Sequence, residues 1–444
     1  MARRKTRREA GDDTPEPFGY DLDDAIPTLD QMPILAEFVR RHKASQPLRG
    51  VTALLIQHQL CNQAPQAEAL IALGLEPSKI LWLDIPYTSS PRFRRVVGKR
   101  LKIPKENFRV RRYRVLEPYA SYQLRRAQEL VRLLLRRRPK RLLVLDDGAY
   151  FLEAAVGFRQ RLANVSVVEQ TTRGLIKMEE NAALNAYGKT IPIVNVARSQ
   201  AKLELESPWI AVSVRAALRF HLDALARKSP RFALRRDSRC LVLGYGAIGR
   251  RVADVLRGLA RVTVFDSRPA RRRQARRDGF RIWNRADTKT RFKLVVGCTG
   301  RASFGVGDYV YLERHAVLAS ASSGSVELSR SEFIDLAAAS HIDDISVDTR
   351  QLHGNRIHQE LRMQIADHHV VFLNAGFPIN FDGRVNCVPI KYMQPTAVLM
   401  VQGAIQAVRA SKGGLIRISK AFSTKLRRVF VKTLKPNERA DLRR

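Results

Sequence analysis

Residues Cys240–Asp266 read CLVLGYGAIGRRVADVLRGLARVTVFD. An apolar run, Leu241–Leu243, leads into Gly244, Gly246 and Gly249, spaced as GxGxxG. Ile248, Val252, Val255, Leu256 and Leu259 then recur at helical spacing, and a second apolar run, Val262–Phe265, ends in Asp266. This order predicts strand, glycine turn, helix, strand and acid. Gly244 permits the tight turn, Gly246 lets a pyrophosphate approach the backbone, and Gly249 lets the helix pack on the strand. The N–H groups around Ala247 and Ile248 open the helix toward the phosphates. Asp266 lies 266 − 244 = 22 positions past the first glycine, close to the roughly 20 expected of a ribose-binding acid. A carboxylate there favours NAD, while Arg268, Arg271 and Arg272 keep NADP open as the alternative.

Working outward, the chain is long enough for two or three domains, at 444 residues. No apolar run reaches the roughly 18 residues of a membrane span. The first residues, MARRKTRREAGDDTPEP, lack the apolar core of a secretory signal. Four scattered cysteines, Cys61, Cys240, Cys298 and Cys387, form no metal-binding spacing, so a reduced, cytoplasmic protein without a metal is expected. The net charge of +37 draws polyanions, but the basic residues are spread over the whole chain. Nonspecific polyanion binding at low salt is therefore expected rather than specific nucleic-acid recognition.

Residues 1–25 are charged and contain proline, and read as disordered. From Ile26 onward, strands at Val51–Ile56, Ile80–Leu83, Leu142–Leu145, Val165–Val168 and Ile191–Val196 alternate with helical patterns, which predicts a parallel sheet. Ligands of such sheets bind beyond the carboxyl ends of the strands. His58, Asp147, Gln170, Thr171 and Lys202 all follow such ends. Arg92–Arg114 reads as irregular and basic. Trp209 to about Arg231 reads as a linking helix, and the tail from Ser411 is basic and weakly patterned. In the dinucleotide unit, Gly297-Cys298-Thr299-Gly300, Ser320–Gly324 and Asn374–Asn380 follow further strands. The expected architecture is α/β, with two doubly wound parallel-sheet, Rossmann-like domains and a cleft between them. The substrate domain is discontinuous, 26–208 plus about 381–410; the dinucleotide domain is 209–380; and 411–444 is a tail.

The segments MPILAEFVRRHKASQPLRG, LLIQHQ, LDDG, VVEQTTRGLIKM, IPIVNVARSQAK and LVLGYGAIGR occur in this order. Together they resemble the S-adenosylhomocysteine hydrolase family, from about Met32 to Ala410, with the weakest match at Asp84–Arg138. The resemblance implies a buried, recycled NAD that oxidises the 3′-hydroxyl of a nucleoside. It then implies proton loss at C4′, elimination of a 5′ thiol, addition of water and return of the hydride. It places Lys202 at the 3′-hydroxyl, His58 near the leaving group, Asp147 among the catalytic acids, and Thr171, Thr172 and Asn380 beside ribose or cofactor. Thr299 and Gly300 fall among the cofactor contacts. A homo-oligomer is implied as well.

The departures from the family fall at the substrate rim. Gln170 stands for a glutamate, Glu206 for an aspartate and Ser207 for an asparagine. Leu60, Asn62 and Gln63 replace Thr, Glu and Thr, and Ser323 replaces a histidine. VPIKYMQPTAV, 388–398, lacks the family's Gly-His-Pro gate, and its C-terminal lysine and tyrosine have no match. The resemblance implies a nucleoside or nucleoside thioether as substrate, and the departures open it to compounds other than S-adenosylhomocysteine. The competing reading is a catalytically weak, NAD-binding regulator with a polyanion-binding surface.

Overall fold

The computed structural model describes residues 17–115, 117–158, 161–337, 342–345 and 357–443. The first sheet opens with β1 (Thr52–Gln57), β2 (Ile80–Asp84) and β3 (Phe108–Arg109), and continues with β4 (Leu142–Asp146), β5 (Val165–Glu169) and β6 (Pro192–Asn195). These strands are short runs of Leu, Val and Ile with almost every side chain buried, as expected where helices cover both faces. A 22-residue helix, Ser207–Lys228, carries the chain to the second sheet. That sheet contains β7 (Arg239–Leu243), β8 (Arg261–Phe265), β9 (Arg281–Ile282), β10 (Phe292–Gly297), β11 (Leu312–Ser320), β12 (Ile342–Ile345), β13 (Glu360–Ile365) and β14 (His368–Phe372). The chain returns through helix Ile390–Arg409 to β15 (Gly414–Arg417), which joins the first sheet beside β6.

The strand order is β15-β6-β5-β4-β1-β2-β3 in the first sheet and β12-β13-β14-β11-β10-β7-β8-β9 in the second. Pairing is parallel except around β13, which runs antiparallel to β12 and β14. Both expected doubly wound sheets are thus present. Each reverses its winding once, the first between β1 and β4 and the second between β7 and β10. Such a switch point splays the two connections apart and opens a crevice at the carboxyl edge. Among the described residues no helix is long and apolar enough to cross a membrane.

Three expectations are corrected. Of the stretch 1–25 read as disordered, 1–16 lie outside the described residues, but 17–25 are packed. Phe18 is buried against Tyr392, and Tyr20 stacks on Phe220 with ring centroids 3.8 Å apart. Composition masked these two aromatic anchors. Arg92–Arg114 is not irregular throughout: Pro91–Leu101 is a helix, with Ser90 Oγ accepting from Phe93 N at 3.1 Å and with Phe93, Val97 and Leu101 buried. Serine followed by proline is a helix-start signal, and apolar residues every four positions give the buried stripe. The tail from Ser411 supplies β15 and helix Lys420–Thr433, whose Leu426 and Phe430 are buried.

Candidate functional site

β1 and β4 are neighbours, so the residues just past their ends meet at the first switch point. His58 follows β1 and Asp147 follows β4; both are buried, with His58 Nε2 3.2 Å from Asp147 Oδ2. The other ring nitrogen, Nδ1, lies 2.8 Å from Thr88 Oγ1, which donates its own hydrogen to Ile85 O at 3.1 Å. Thr88 therefore accepts from Nδ1–H, which turns Nε2 toward Oδ2. A histidine and a carboxylate in such contact can serve as a general acid–base pair. Asp147 Oδ1 is buried and has no hydrogen-bond partner among the described residues, so the pair retains an acceptor for a ligand.

The next strand ends are built by buried carboxylates. Asp146 accepts from Tyr150 N and Phe151 N at 3.2 and 2.8 Å, and burial pushes its carboxyl up to about 7. Glu169 gathers Gly148 N, Ala149 N, Thr171 N and the Thr171 hydroxyl. Burial first, and the charge of Asp146 second, hold Glu169 well above the usual carboxylate range. These two acids shape the turns that carry Asp147 and Thr171. Gln170 accepts from Gln57 Nε2 at 2.8 Å, and Gln57 in turn accepts from Gln66 Nε2 at 2.9 Å. This relay fixes the Gln170 amide with its NH2 left to donate.

Lys202 sits past the end of β6, two strands away from β4. It pairs with Glu206 rather than with His58 or Asp147: Nζ lies 3.0 and 2.9 Å from the two carboxylate oxygens. Thr396 Oγ1 donates to Glu206 and holds that carboxylate from the returning helix. Ser207 donates to Leu203 O at 2.6 Å within its own helix, so its hydroxyl hydrogen is not offered to a ligand. Thr172 is exposed at the start of helix Thr172–Glu180.

The second switch point contains the glycine turn. Gly244 has φ +94, and a Cβ there would lie 2.8 Å from Cys298 O. A Cβ on Gly249 would lie 1.9 Å from Gly244 O, so helix and strand touch backbone to backbone. Around Gly246, by contrast, no atom of the described residues lies within 4 Å of an added Cβ. That open space lies at the N-terminus of helix Ala247–Leu256, where a phosphate is favoured. Asp266 follows β8 and accepts from Tyr245 N at 2.7 Å and Arg268 N at 2.8 Å, which ties it to the glycine turn. Thr299 and Gly300 are oriented by Glu327, whose buried carboxylate takes the Thr299 hydroxyl at 2.9 Å and the Gly300 N–H. Burial raises Glu327 against those hydrogen bonds.

The two crevices face one another. Gly324 N, after β11, donates to Tyr87 Oη of the first domain at 3.1 Å. The Phe381 ring lies 4.8 Å from the His58 ring. Asn380, the preceding residue, is buried, and its Nδ2 has no partner among the described residues. Its amide is therefore a free donor in the seam beside the acid–base pair. An open depression of about 1120 Å³ lies instead at the amino ends of β4, β5 and β6, lined by Arg141, Asn164 and Pro192, and contains none of these groups.

This geometry is that of a Rossmann-type unit with an open glycine turn, opposed by a second α/β domain that presents titratable side chains. No family model matches the chain. An uncharacterized protein of Mycobacterium tuberculosis, found in strains CDC 1551 and H37Rv, is 28% identical over 353 residues. That match covers 77% of this chain and 61% of the mycobacterial protein, so the chain spans about three fifths of that relative. The adenosylhomocysteinase of Sulfolobus acidocaldarius is 26% identical over 337 residues, covering 74% of this chain and 72% of that enzyme. A solved structure of a putative D-3-phosphoglycerate dehydrogenase oxidoreductase from Ralstonia solanacearum matches at 14% identity with a TM-score of 0.38, over 80% of this chain and 92% of that one. A likeness that loose has no bearing on the chemistry.

Sequence reasoning missed Thr88, Tyr87, Gln57, Gln66, Glu327 and Thr396. Thr396 reaches Glu206 across 190 positions of chain, and no local pattern signals such a contact.

Proposed function

We propose that the chain is a nicotinamide-dinucleotide-dependent enzyme that oxidises a nucleoside reversibly at its 3′-hydroxyl, followed by elimination and addition at C4′–C5′. NAD is the proposed cofactor. The single observation that carries the reading is the opposition of the two switch points, which sets the His58–Asp147 pair against the Asn380 seam of the dinucleotide domain. The residues fit the cofactor. Gly246 and the first N–H groups of helix Ala247–Leu256 would take the pyrophosphate, Asp266 a ribose, and Asn380 Nδ2 a carboxamide oxygen. A bound dinucleotide supplies the hydride acceptor.

The chain's own residues do the rest. Lys202 stabilises negative charge on the alcohol oxygen, and the hydroxyl proton passes to the Lys202–Glu206 pair. Gln170 donates to a neighbouring oxygen of the sugar. The His58–Asp147 pair takes the C4′ proton and delivers a proton to the 5′ leaving group. The 26% likeness to adenosylhomocysteinase supports this assignment of roles. The altered residues at 60, 62 and 63 leave the 5′ group of the substrate open.

The direct test is to purify the protein, assay it for bound dinucleotide, and mix it with adenosine. Absorbance of the reduced nicotinamide should rise. Cofactor without reduction by any nucleoside would sink the catalytic reading in favour of a dinucleotide-binding regulator. Gly246→Ala separates fold from site: an added methyl group meets no protein atom, so thermal stability should hold. Dinucleotide binding should weaken by about tenfold, as when one charge-assisted hydrogen bond is lost. Equal affinity in a calorimetric titration would move the pyrophosphate away from Gly246.

A further inference from the structure

Just past β14 the chain turns through Asn374, Ala375 and Gly376, whose φ angles are +50, +49 and +78 in succession. Left-handed backbone is open to glycine and tolerated by asparagine, but the Cβ of alanine crowds the following carbonyl there. The turn is held by contacts at each of its first two residues. Ala375 N donates to Gln359 O at 2.7 Å, and Ala375 O accepts from Arg330 Nη1 at 2.9 Å. Asn374 Oδ1 lies 2.8 Å from His358 Nδ1. Asn374 Nδ2 donates to Pro378 O at 2.7 Å and to Phe381 O at 3.0 Å, which fixes the backbone on both sides of Asn380.

Arg330 also reaches the first domain. Its Nη2 donates to Tyr113 Oη at 2.8 Å and to Glu117 O at 3.3 Å. Its guanidinium lies 5.1 Å from the centre of the Phe377 ring, which stacks on Tyr87 of the first domain at 4.9 Å. The side chain is buried, and among the described residues its hydrogen-bond acceptors are these neutral oxygens. A guanidinium held inside on neutral oxygens is a poor way to stabilise a fold, because the charge loses water without gaining a carboxylate. Unfavourable backbone and a buried cation that meet at one turn point to a functional constraint. Resting on the reading of Asn380 as the donor to the nicotinamide carboxamide, we propose that Arg330 is a positioning residue for hydride transfer. It holds the left-handed turn, and through it Asn380, opposite the His58–Asp147 pair. Its bond to Tyr113 makes that placement depend on closure of the two domains.

The test measures kcat and KM for adenosine-driven reduction of the bound dinucleotide, with hydrogen exchange of residues 373–381, in the full chain. Wild type is compared with Arg330→Met, Arg330→Lys and Tyr113→Phe. Arg330→Met should lower kcat by about ten- to a hundred-fold, as when reacting groups are misplaced by about 1 Å. KM for adenosine should hold, because the nucleoside rests on the first domain. Exchange of 373–381 should quicken. Arg330→Lys should restore part of kcat, since an ammonium reaches one of the two sets of acceptors and not both. Tyr113→Phe deletes only a hydroxyl, yet it should lower kcat to a smaller extent and quicken exchange in 373–381 of the other domain. Unchanged kcat and exchange in both Arg330→Met and Tyr113→Phe overturn the proposal. So does a loss of thermal stability with kcat preserved, which leaves Arg330 a purely structural residue. If adenosine reduces no dinucleotide in wild type, the catalytic reading falls, and exchange in Tyr113→Phe still decides the link between the domains: faster exchange in 373–381 supports it and unaltered exchange refutes it.

Discussion

Replacing Lys202 with methionine will cut nucleoside-driven reduction of the bound dinucleotide by about a hundred- to ten-thousand-fold, the usual worth of a positioned acid or base. The half-buried ammonium is held by both Glu206 oxygens, and Glu206 is held by Thr396. Methionine keeps the length and packing of the stem and deletes only the charge. Lys202 belongs to the first domain, so affinity for the dinucleotide should change little. A single-turnover measurement of nicotinamide absorbance, paired with calorimetry of cofactor binding, tests both halves. Undiminished reduction would take Lys202 out of the chemistry. Loss of cofactor would make it a binding residue instead.

Asp382→Ala is expected to destabilise the protein by about 3–5 kcal/mol, the cost of breaking a buried ion pair from one side. Asp382 is fully buried and accepts from Tyr20 Oη at 2.7 Å, Arg384 Nε at 2.8 Å and His221 Nε2 at 3.0 Å. Deletion leaves the Arg384 guanidinium in the interior without a carboxylate. It also frees Tyr20, which anchors the segment ahead of Ile26. Burial alone would raise the Asp382 carboxyl, but the charges of Arg384 and His221 outweigh it and hold it far below the usual range. A depressed carboxyl stabilises above its unfolded pKa of about 3.9 and loses that stabilisation as the pH falls further.

His358 adds an earlier acid limb. Burial lowers its pKa to about 4, against the Asn374 hydrogen bond. Between about pH 6.5 and 4 the unfolded chain takes a proton that the folded one refuses, so stability should fall there by about 3 kcal/mol. Urea denaturation at a series of pH values should show both limbs in wild type, and Asp382→Ala should lose the limb below about pH 4. An unchanged acid profile in Asp382→Ala would place the acid sensitivity elsewhere.

The strand–glycine turn–helix–strand unit was legible because its information is contiguous. Strand, glycine turn, helix and acid occupy 240–266, and each step is a local backbone requirement, such as the positive φ of Gly244. The central strands of both sheets were legible as short apolar runs between turns, whereas β3, β9, β12, β13 and β15 were not read. The acid–base pair was half legible. His58 and Asp147 could be placed at strand ends, but only the pairing of β1 with β4 makes them neighbours. Gln170 was legible as the residue standing for the family's glutamate; that Gln57, itself held by Gln66, donates to it could not be read from the order of residues. Residues 17–25 and the tail misled because charge dominates their composition, while a few aromatic and aliphatic side chains decide their packing.

By itself, then, the amino-acid order determined the two α/β layers and the glycine turn between strand and helix. Periodicity and glycine conformation act over a few residues and can be read one after another. Only the tertiary structure decided that the two crevices face each other and that Glu206 is held by Thr396. Those facts depend on pairings between distant segments, because burying both sheets, and not any local preference, sets which strand ends become neighbours.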